Sequence, residues 1–326
     1  MLHRSRSMAL TAAVLAGVIV LAGCGSTSGS GEARTIVRDE PTAAAAEAAQ
    51  ETQDQGSAEA VASSPTEQPE DSAASSASTD VTIEEQVLID QDGVKVTATE
   101  YVTDMIWGEG IKLMLENDTS KDITVGCTAL IVNDYMISDL FVSNVAAGKK
   151  SNDNLYLSSS GLKAAGIDNV GQIEIYFHVY DSDSFETLFD PDCVTIRTSA
   201  YDQMDTTPDD AGTELYQADG IRIVGKAVDE NSFWGSAILL YCENNSGRNV
   251  GITVEDMSIN GFMMTPYFSS TVYDGKKALD DITILSTELE SNGINSIDEV
   301  ELKFHMYDVD TFDTIADTDP ITFSAK

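Results

Sequence analysis

The sharpest chemical feature of the chain is a set of alternating aspartates that occurs twice. The residues are Asp181, Asp183, Asp190 and Asp192, and then Asp308, Asp310, Asp317 and Asp319. Alternate carboxylates in one loop offer the oxygen ligands that calcium prefers. The spacing is not that of an EF-hand, because Phe185 and Phe312 occupy the third ligand position and no glycine follows. Aspartate also favours turns through its own backbone hydrogen bonds. Turn formation and a calcium site therefore both stay open. We expect no cofactor, with calcium as the alternative.

A histidine and a tyrosine precede each aspartate set, as His178 and Tyr180 and as His305 and Tyr307. A catalytic triad needs a histidine beside a nucleophile and an acid, and a zinc site gathers several histidines or cysteines. Each copy has one histidine, and neither G-x-S-x-G nor C-x-x-C occurs in the sequence. We therefore predict surface residues of a strand, with a binding face as the alternative.

For the tryptophans and cysteines we mainly predict roles in packing. Trp107 and Trp234 share the parity of the apolar face of the next strand, which favours burial over an exposed sugar-stacking platform. Cys242 is matched by Leu115 in the other copy, which is typical of a thiol that acts as a small hydrophobe. A disulfide between Cys127 and Cys193 stays open, since exported chains tolerate disulfides.

Two further pairs of segments recur. Tyr135, Met136 and Phe141 match Phe262, Met263 and Phe268, and we predict core or bulge packing for them rather than a partner groove. The lysine pairs at 149–150 and 276–277 are predicted to be charges at strand edges or turns.

The charge excludes several classes of partner. The 326 residues carry a formal net charge of −37. Phosphate recognition needs a basic footprint, so nucleic-acid binding is excluded. Charge steering onto an anionic membrane surface is excluded for the same reason.

The segments that must position these residues occur twice, as an internal repeat of the sequence. Residue 88 aligns with residue 215, and the alignment continues without a gap to the C-terminus. The best-matched block is IEIYFHVYDSDSFETLFDPD over VELKFHMYDVDTFDTIADTD. Apolar residues alternate in both blocks with a period of two, which is typical of half-buried antiparallel strands. We predict further strands at 93–101, 111–117, 122–133, 153–158 and 193–198, and a helical turn at 159–165. Two repeats follow, at 81–200 and 201–326.

Each repeat resembles the immunoglobulin-like β-sandwich domains of uncharacterised lipoproteins of Gram-positive bacteria. The resemblance covers residues 84–326 and depends on the asparagine turns (LENDTSKDITV, CENNSGRNVGI) and the H-x-Y-D-x-D-[ST]-F segment. It implies a fold and a location but no activity. The expected fold class is all-β, with two tandem immunoglobulin-like antiparallel β-sandwich domains after a disordered linker.

The N-terminus has the pattern of an export signal. Arg4 and Arg6 precede an uncharged apolar run from Met8 to Leu21, which is short for a membrane span. The run ends in Leu-Ala-Gly-Cys and resembles the lipobox of bacterial lipoproteins. The resemblance implies a signal peptide at 1–23 and a lipid on Cys24 that anchors the chain to the extracytoplasmic face of the cell membrane. Residues 24–80 are acidic and rich in serine and alanine, which predicts a disordered linker.

These features together favour a non-catalytic cell-surface lipoprotein. The β-sandwiches would bind or scaffold an extracellular protein or glycan, and two linked copies raise avidity if each holds a site. One alternative is an extracytoplasmic enzyme such as a glycan hydrolase, which needs two carboxylates in a cleft. The other alternative is a calcium-dependent adhesion module.

Overall fold

The structure is a computed structural model that describes residues 81–137, 141–232 and 234–324, without the side chain of Asn231. The predicted signal peptide, Cys24 and the predicted linker lie outside these ranges. In the described ranges, no helix is long and apolar enough to cross a bilayer.

The two repeats contain the same strands and the same short helix in the same order. The elements of the first repeat are β1 (Gln86–Gln91), β2 (Val94–Asp104), β3 (Gly108–Asn117), β4 (Ile123–Val132), β5 (Tyr135–Ile137), β6 (Val142–Val145), β7 (Lys149–Tyr156), α1 (Ser159–Ala164), β8 (Gln172–Asp181), β9 (Thr187–Phe189) and β10 (Val194–Arg197). A 3-10 turn, Tyr201–Gln203, follows. The elements of the second repeat are β11 (Thr213–Ala218), β12 (Ile221–Ser232), β13 (Gly235–Asn244), β14 (Val250–Ile259), β15 (Phe262–Met263), β16 (Ser269–Val272), β17 (Lys276–Leu285), α2 (Ser286–Ser291), β18 (Glu299–Asp308), β19 (Thr314–Asp317) and β20 (Ile321–Ser324).

These strands form three sheets. The first sheet has four strands in the order β1-β2-β3-β7. The middle sheet has ten strands, eight of them in the order β10-β8-β4-β5-β17-β13-β12-β11, with β6 on β4 and β9 on β8. The third sheet has six strands, four in the order β15-β14-β18-β19, with β16 on β14 and β20 on β18. Each end of the middle sheet forms one sandwich with an outer sheet, which confirms the predicted all-β fold of two immunoglobulin-like sandwiches.

The alternation read from the sequence produces both cores. In β8, Ile173, Ile175, Phe177 and Val179 are buried, while the intervening side chains face away from the sandwich. The same register recurs in β18, and the two apolar faces belong to separate hydrophobic cores. Cys242 is fully buried in the second core, as its match to a leucine predicted.

A buried asparagine closes each turn between the third and fourth strands of a repeat. Asn117 is 0% exposed and donates to the carbonyls of Lys121 and Val145, at 2.8 Å each. Asn244 is also 0% exposed and donates to the carbonyls of Arg248 and Val272, at 2.8 and 2.7 Å. The asparagine turns that supported the family resemblance connect the two sheets of each sandwich. We call the two buried residues the asparagine locks, because each ties its turn to a strand of the opposite sheet.

The repeats meet where β5 pairs in parallel with β17, through Tyr135 and Lys277. The Lys277 N–H donates to the Asp134 carbonyl at 2.9 Å. We call this contact and the side chains around it the inter-repeat joint. Val224, Tyr241 and Leu279 of the second repeat pack against the core of the first. The two sandwiches therefore share one continuous sheet.

The burial predicted for both tryptophans is wrong. Trp107 and Trp234 are 64% and 50% exposed. Each lies in the turn before β3 or β13, where the alternation of the next strand has not begun.

The packing predicted for the aromatic segments holds in the first repeat and for Phe268, which packs against the second core, but not for Phe262 and Met263. Tyr135 and Phe141 are 2% and 7% exposed, whereas Phe262 and Met263 are 47% and 63% exposed. The first pair is covered by the joint or the first core, and β15 is an edge strand of the third sheet.

Candidate binding surfaces

Each repeat presents a short row of aromatic rings on the outer face of its central strand. In the first row, the ring centroids of His178 and Tyr180 are 5.2 Å apart, and those of Tyr180 and Phe185 are 6.2 Å apart. In the second row, the centroids of His305 and Tyr307 are 5.7 Å apart. We call these sets the aromatic rows.

The second row is completed by Phe312, whose ring lies 6.2 Å from Tyr307 with an interplanar angle of 14°. Gly251 leaves the space beneath Tyr307 that any Cβ would fill. The structure thus brings together the predicted His–Tyr faces and adds one phenylalanine to each.

The added phenylalanines combine high exposure with an unfavourable backbone. Phe185 and Phe312 are 76% and 77% exposed. Their φ angles are 58° and 60°, in the left-handed region. That region costs an ordinary residue roughly 1–2 kcal/mol, and it is where a glycine would normally stand in such a bulged turn. A large apolar ring at such a position gains nothing from burial, so it points to a function.

One aspartate of each set holds the loop that carries the phenylalanine. Asp181 Oδ1 accepts the N–H groups of Asp183 and Ser184, at 3.0 and 3.1 Å. Lys121 Nζ lies 2.7 Å from Asp181 Oδ2. The hydrogen bond to Lys121, aided by those backbone donors, lowers the pKa of Asp181 to about 2.

The second repeat copies this loop. Asp308 Oδ1 accepts the N–H groups of Asp310 and Thr311, at 2.9 and 3.1 Å. Arg248 occupies the position of Lys121 and lies 4.0 Å from Asp308. Equivalent aspartates, Asp181 and Asp308, therefore hold the two loops through the same backbone hydrogen bonds.

A second aspartate of each set orients the histidine. The Asp190 carboxylate pairs with His178 Nδ1. In the second repeat, Asp317 Oδ1 lies 2.6 Å from His305 Nδ1. Each imidazole is thereby fixed beside its tyrosine, with the other ring nitrogen available to a ligand.

The remaining members, Asp183, Asp192, Asp310 and Asp319, are exposed. The eight carboxylates thus divide into loop holders, histidine partners and exposed acids around the rows. In the described part of the chain, no group of three or more His, Cys, Asp or Glu side chains converges to hold a metal ion. The calcium site stays a prediction and receives no geometric support.

A second surface is a groove of about 730 Å³ between the repeats. We call it the inter-repeat groove. Its wall includes Trp107, Leu130, Met136, Tyr156, Ser270 and Asp280. The rings of Trp107 and Tyr156 stack at 6.1 Å, so the exposed tryptophan is part of an aromatic wall.

One carboxyl of the groove is partly buried. Asp280 is on β17 and hydrogen-bonds Ser270 on β16, which joins the two sheets of the second repeat. Burial raises the pKa of Asp280 above its usual range, against the hydrogen bond from Ser270.

In the sequence, Phe185 and Phe312 were noted only because they occupy a ligand position of the calcium-binding pattern, and no binding role was predicted for them. A signal was present, because both copies keep phenylalanine where a turn favours glycine. The groove left no such signal, since its residues come from distant segments of the two repeats.

Comparisons with known proteins do not assign the chain to a family. No protein-family model matches the chain. No curated protein matches it either. Among solved structures, the chain is similar to the YadV chaperone, with 11% identity, 71% of this chain and 99% of that chain covered, and a TM-score of 0.23. It is also similar to the Salmonella enterica SafA pilin in complex with the SafB chaperone, with 12% identity, coverage of 72% and 98%, and a TM-score of 0.21. At these TM-scores the similarities support no argument about function.

Proposed function

We propose that the chain is a non-catalytic binding module, tethered by a lipid on Cys24 to the extracytoplasmic face of the cell membrane. Its two β-sandwiches each present one aromatic row to an extracellular glycan that carries amino groups. The observation that carries the proposal is the recurrence of an exposed, left-handed phenylalanine at the end of a His–Tyr pair in both repeats.

The geometry of the rows suits a ligand with flat apolar faces. Consecutive rings lie 5.2–6.2 Å apart in both rows. Aromatic faces carry negative electrostatic potential and attract positively polarised groups. Two rows on one chain raise the apparent affinity for a repeating polymer through effective concentration.

The negative charge around the aromatic rows favours a ligand that carries positive charge. Asp183 and Asp190 flank the first row, and Asp310 and Asp317 flank the second. The chain as a whole carries a net charge of −37. A polyanionic glycan is therefore repelled, and amino groups gain both carboxylate and ring-face contacts.

The non-catalytic part of the proposal has its own support. A glycan hydrolase needs two carboxyl groups on either side of the scissile bond. Among the described residues, Asp280 is the one carboxyl in the wall of the inter-repeat groove. In the rows, Asp181 and Asp308 are engaged by the N–H groups of their own loops.

The experiment combines binding with stability. We replace Phe185 and Phe312 with glycine, singly and together, and measure binding to short glucosamine oligomers, N-acetylglucosamine oligomers and polygalacturonate by calorimetry. We expect wild-type binding in the order cationic, neutral, then none for the polyanion. Each glycine variant should lose one site, while its free energy of unfolding stays unchanged or rises by up to about 1 kcal/mol, because glycine tolerates the left-handed backbone.

The matched control is Tyr267→Ala, which removes a ring that is 49% exposed outside the rows. It should leave binding intact. Full binding by the double glycine variant would show that the rows are not the site. Failure of the wild-type chain to bind either amino-sugar oligomer would overturn the ligand class.

A further inference from the structure

The inter-repeat joint uses two different surfaces, one from each repeat. The first repeat offers β5 and the carboxylates beside it, and the second offers β17 with its two lysines. Lys276 Nζ lies 2.9 Å from Asp134 and 2.6 Å from Glu174. Lys277 Nζ lies 5.3 Å from the centroid of the Tyr135 ring. A joint between unlike surfaces leaves one copy of each surface unused at the ends of the pair.

The surface equivalent to β5 is exposed on the second repeat. Phe262 and Met263 of β15 match Tyr135 and Met136, and Glu301 matches Glu174. Tyr135 is 2% exposed in the joint, whereas Phe262 and Met263 are 47% and 63% exposed. The carboxylate of the joint, Glu174, is buried, and its counterpart Glu301 is exposed. An edge strand with exposed apolar side chains is a template for pairing.

The surface equivalent to β17 is exposed on the first repeat. Lys149 and Lys150 begin β7, the edge strand of the first sheet, and match Lys276 and Lys277. Lys276 and Lys277 are half-buried in the joint, whereas their counterparts Lys149 and Lys150 are exposed. The chain therefore carries a lysine-bearing edge at one end and an aromatic, carboxylate-bearing edge at the other.

Some contacts of the joint are missing from the outer surfaces. Asp134 is matched by Gly261, and Leu279 is matched by Asn152. Tyr241 is matched by Met114, which keeps an apolar side chain at that position. A joint between two chains is therefore weaker than the internal one, which also benefits from covalent connection of its partners.

We infer that this protein self-associates head to tail, with β15 of one copy pairing in parallel with β7 of the next and extending the sheets across chains. This goes beyond the proposed glycan binding and depends on different residues. The internal joint supplies the register, since Lys277 pairs with Tyr135 and the equivalent pair is Lys150 with Phe262. Each added copy leaves the same two edges free, so growth continues beyond a dimer.

Disulfide trapping tests the register directly. Paired strands lie about 4.8 Å apart, within the Cα separation of about 4.4–6.8 Å that a disulfide needs. We make Phe262→Cys and Lys150→Cys as separate full-length chains in detergent and mix them under mild oxidation. We expect several-fold more linked dimer from the mixture than from either variant alone. A chain with both substitutions should give a ladder of multimers.

The control replaces Lys150→Cys with Leu188→Cys, an exposed position on β9 in the opposite sheet. A mixture that links no better than this control would overturn the inference. Linkage of Phe262→Cys to itself, at or above the yield of the mixture, would also overturn it, because that product requires like edges to pair. A further variant, Glu301→Lys, should lower the mixture's yield several-fold without affecting the fold of an exposed strand position.

Discussion

Asp280 is a partly buried carboxyl in the wall of the inter-repeat groove. Its carboxylate on β17 accepts a hydrogen bond from the hydroxyl of Ser270 on β16. Burial raises its pKa, so the folded state favours the protonated form. The stabilisation is complete below the ordinary carboxyl pKa near 3.8 and is lost as the pH rises through the raised value.

Replacing Asp280 with asparagine should therefore stabilise the protein at neutral pH. The amide is uncharged and still accepts the hydrogen bond from Ser270, so the melting temperature should rise at pH 7 and the gain should vanish near pH 3. Thermal melting across that range measures it. Asp153→Asn, at the equivalent position of β7, is the control for the chemical change. A variant that is less stable than wild type at pH 7 would contradict the expectation.

At the scale of single residues, the sequence located most of the candidate site. The His–Tyr pairs and the aspartates were found from their repetition. The different roles of the aspartates could not be predicted from the sequence. Asp181 and Asp190 are the same residue type and differ only in the hydrogen-bond donor that lies within reach. The burial predicted for the tryptophans was wrong because both lie in the turn before a strand, where the alternation of buried and exposed side chains has not begun.

At the scale of elements, the asparagine locks are expected to dominate the stability of the turns that connect the two sheets of each sandwich. Replacing Asn244 with alanine leaves the carbonyls of Arg248 and Val272 without the amide that now donates to them. We expect a loss of about 3 kcal/mol in the free energy of unfolding, because buried groups lose their partners. Chemical denaturation measures this loss.

The control for that loss is the neighbouring residue, Asn245, which is exposed. Asn245→Ala should change the free energy of unfolding by about 0.5 kcal/mol at most. Asn117→Ala in the first repeat should reproduce the large loss. Equal, small effects at Asn244 and Asn245 would show that the turn does not depend on the lock.

The sequence predicted most of the long strands and only some of the short ones. The predicted strands at 111–117 and 122–133 correspond to β3 and β4, and the predicted helical turn corresponds to α1. The short strands β5 and β6 were missed. The predicted strand at 193–198 corresponds to the four-residue β10. In β5 and β6 the alternation is too short to be recognised, and hydrogen bonds to β4 define these strands instead.

At the scale of the whole molecule, one lysine holds the ion cluster of the inter-repeat joint. Lys276 faces Asp134 and Glu174 in a half-buried ion cluster. Burial opposes its charge, but the hydrogen bonds to Glu174 and Asp134 outweigh it and raise the pKa of Lys276. Lys276→Met leaves two carboxylates close together without their cation, and we expect a loss of about 3 kcal/mol in the free energy of unfolding.

Lys149→Met provides a control for that loss within the same molecule, because the two lysines occupy equivalent positions. Lys149 is exposed at an edge strand, so its replacement should cost about 0.5 kcal/mol at most. Denaturation of both variants, followed by fluorescence, compares them. Similar losses for the two lysines would show that the ion cluster contributes little to the joint.

The sequence by itself determined the duplication, the alternating strands, the all-β class and the candidate aromatic faces, because these depend on local spacing and on repetition. The tertiary structure alone decided which copy of each surface is covered. Tyr135 and Phe262 occupy equivalent positions, yet one is 2% and the other 47% exposed. Burial depends on neighbours that are distant in sequence, so two nearly identical segments acquire different roles once one of them is placed against the other repeat.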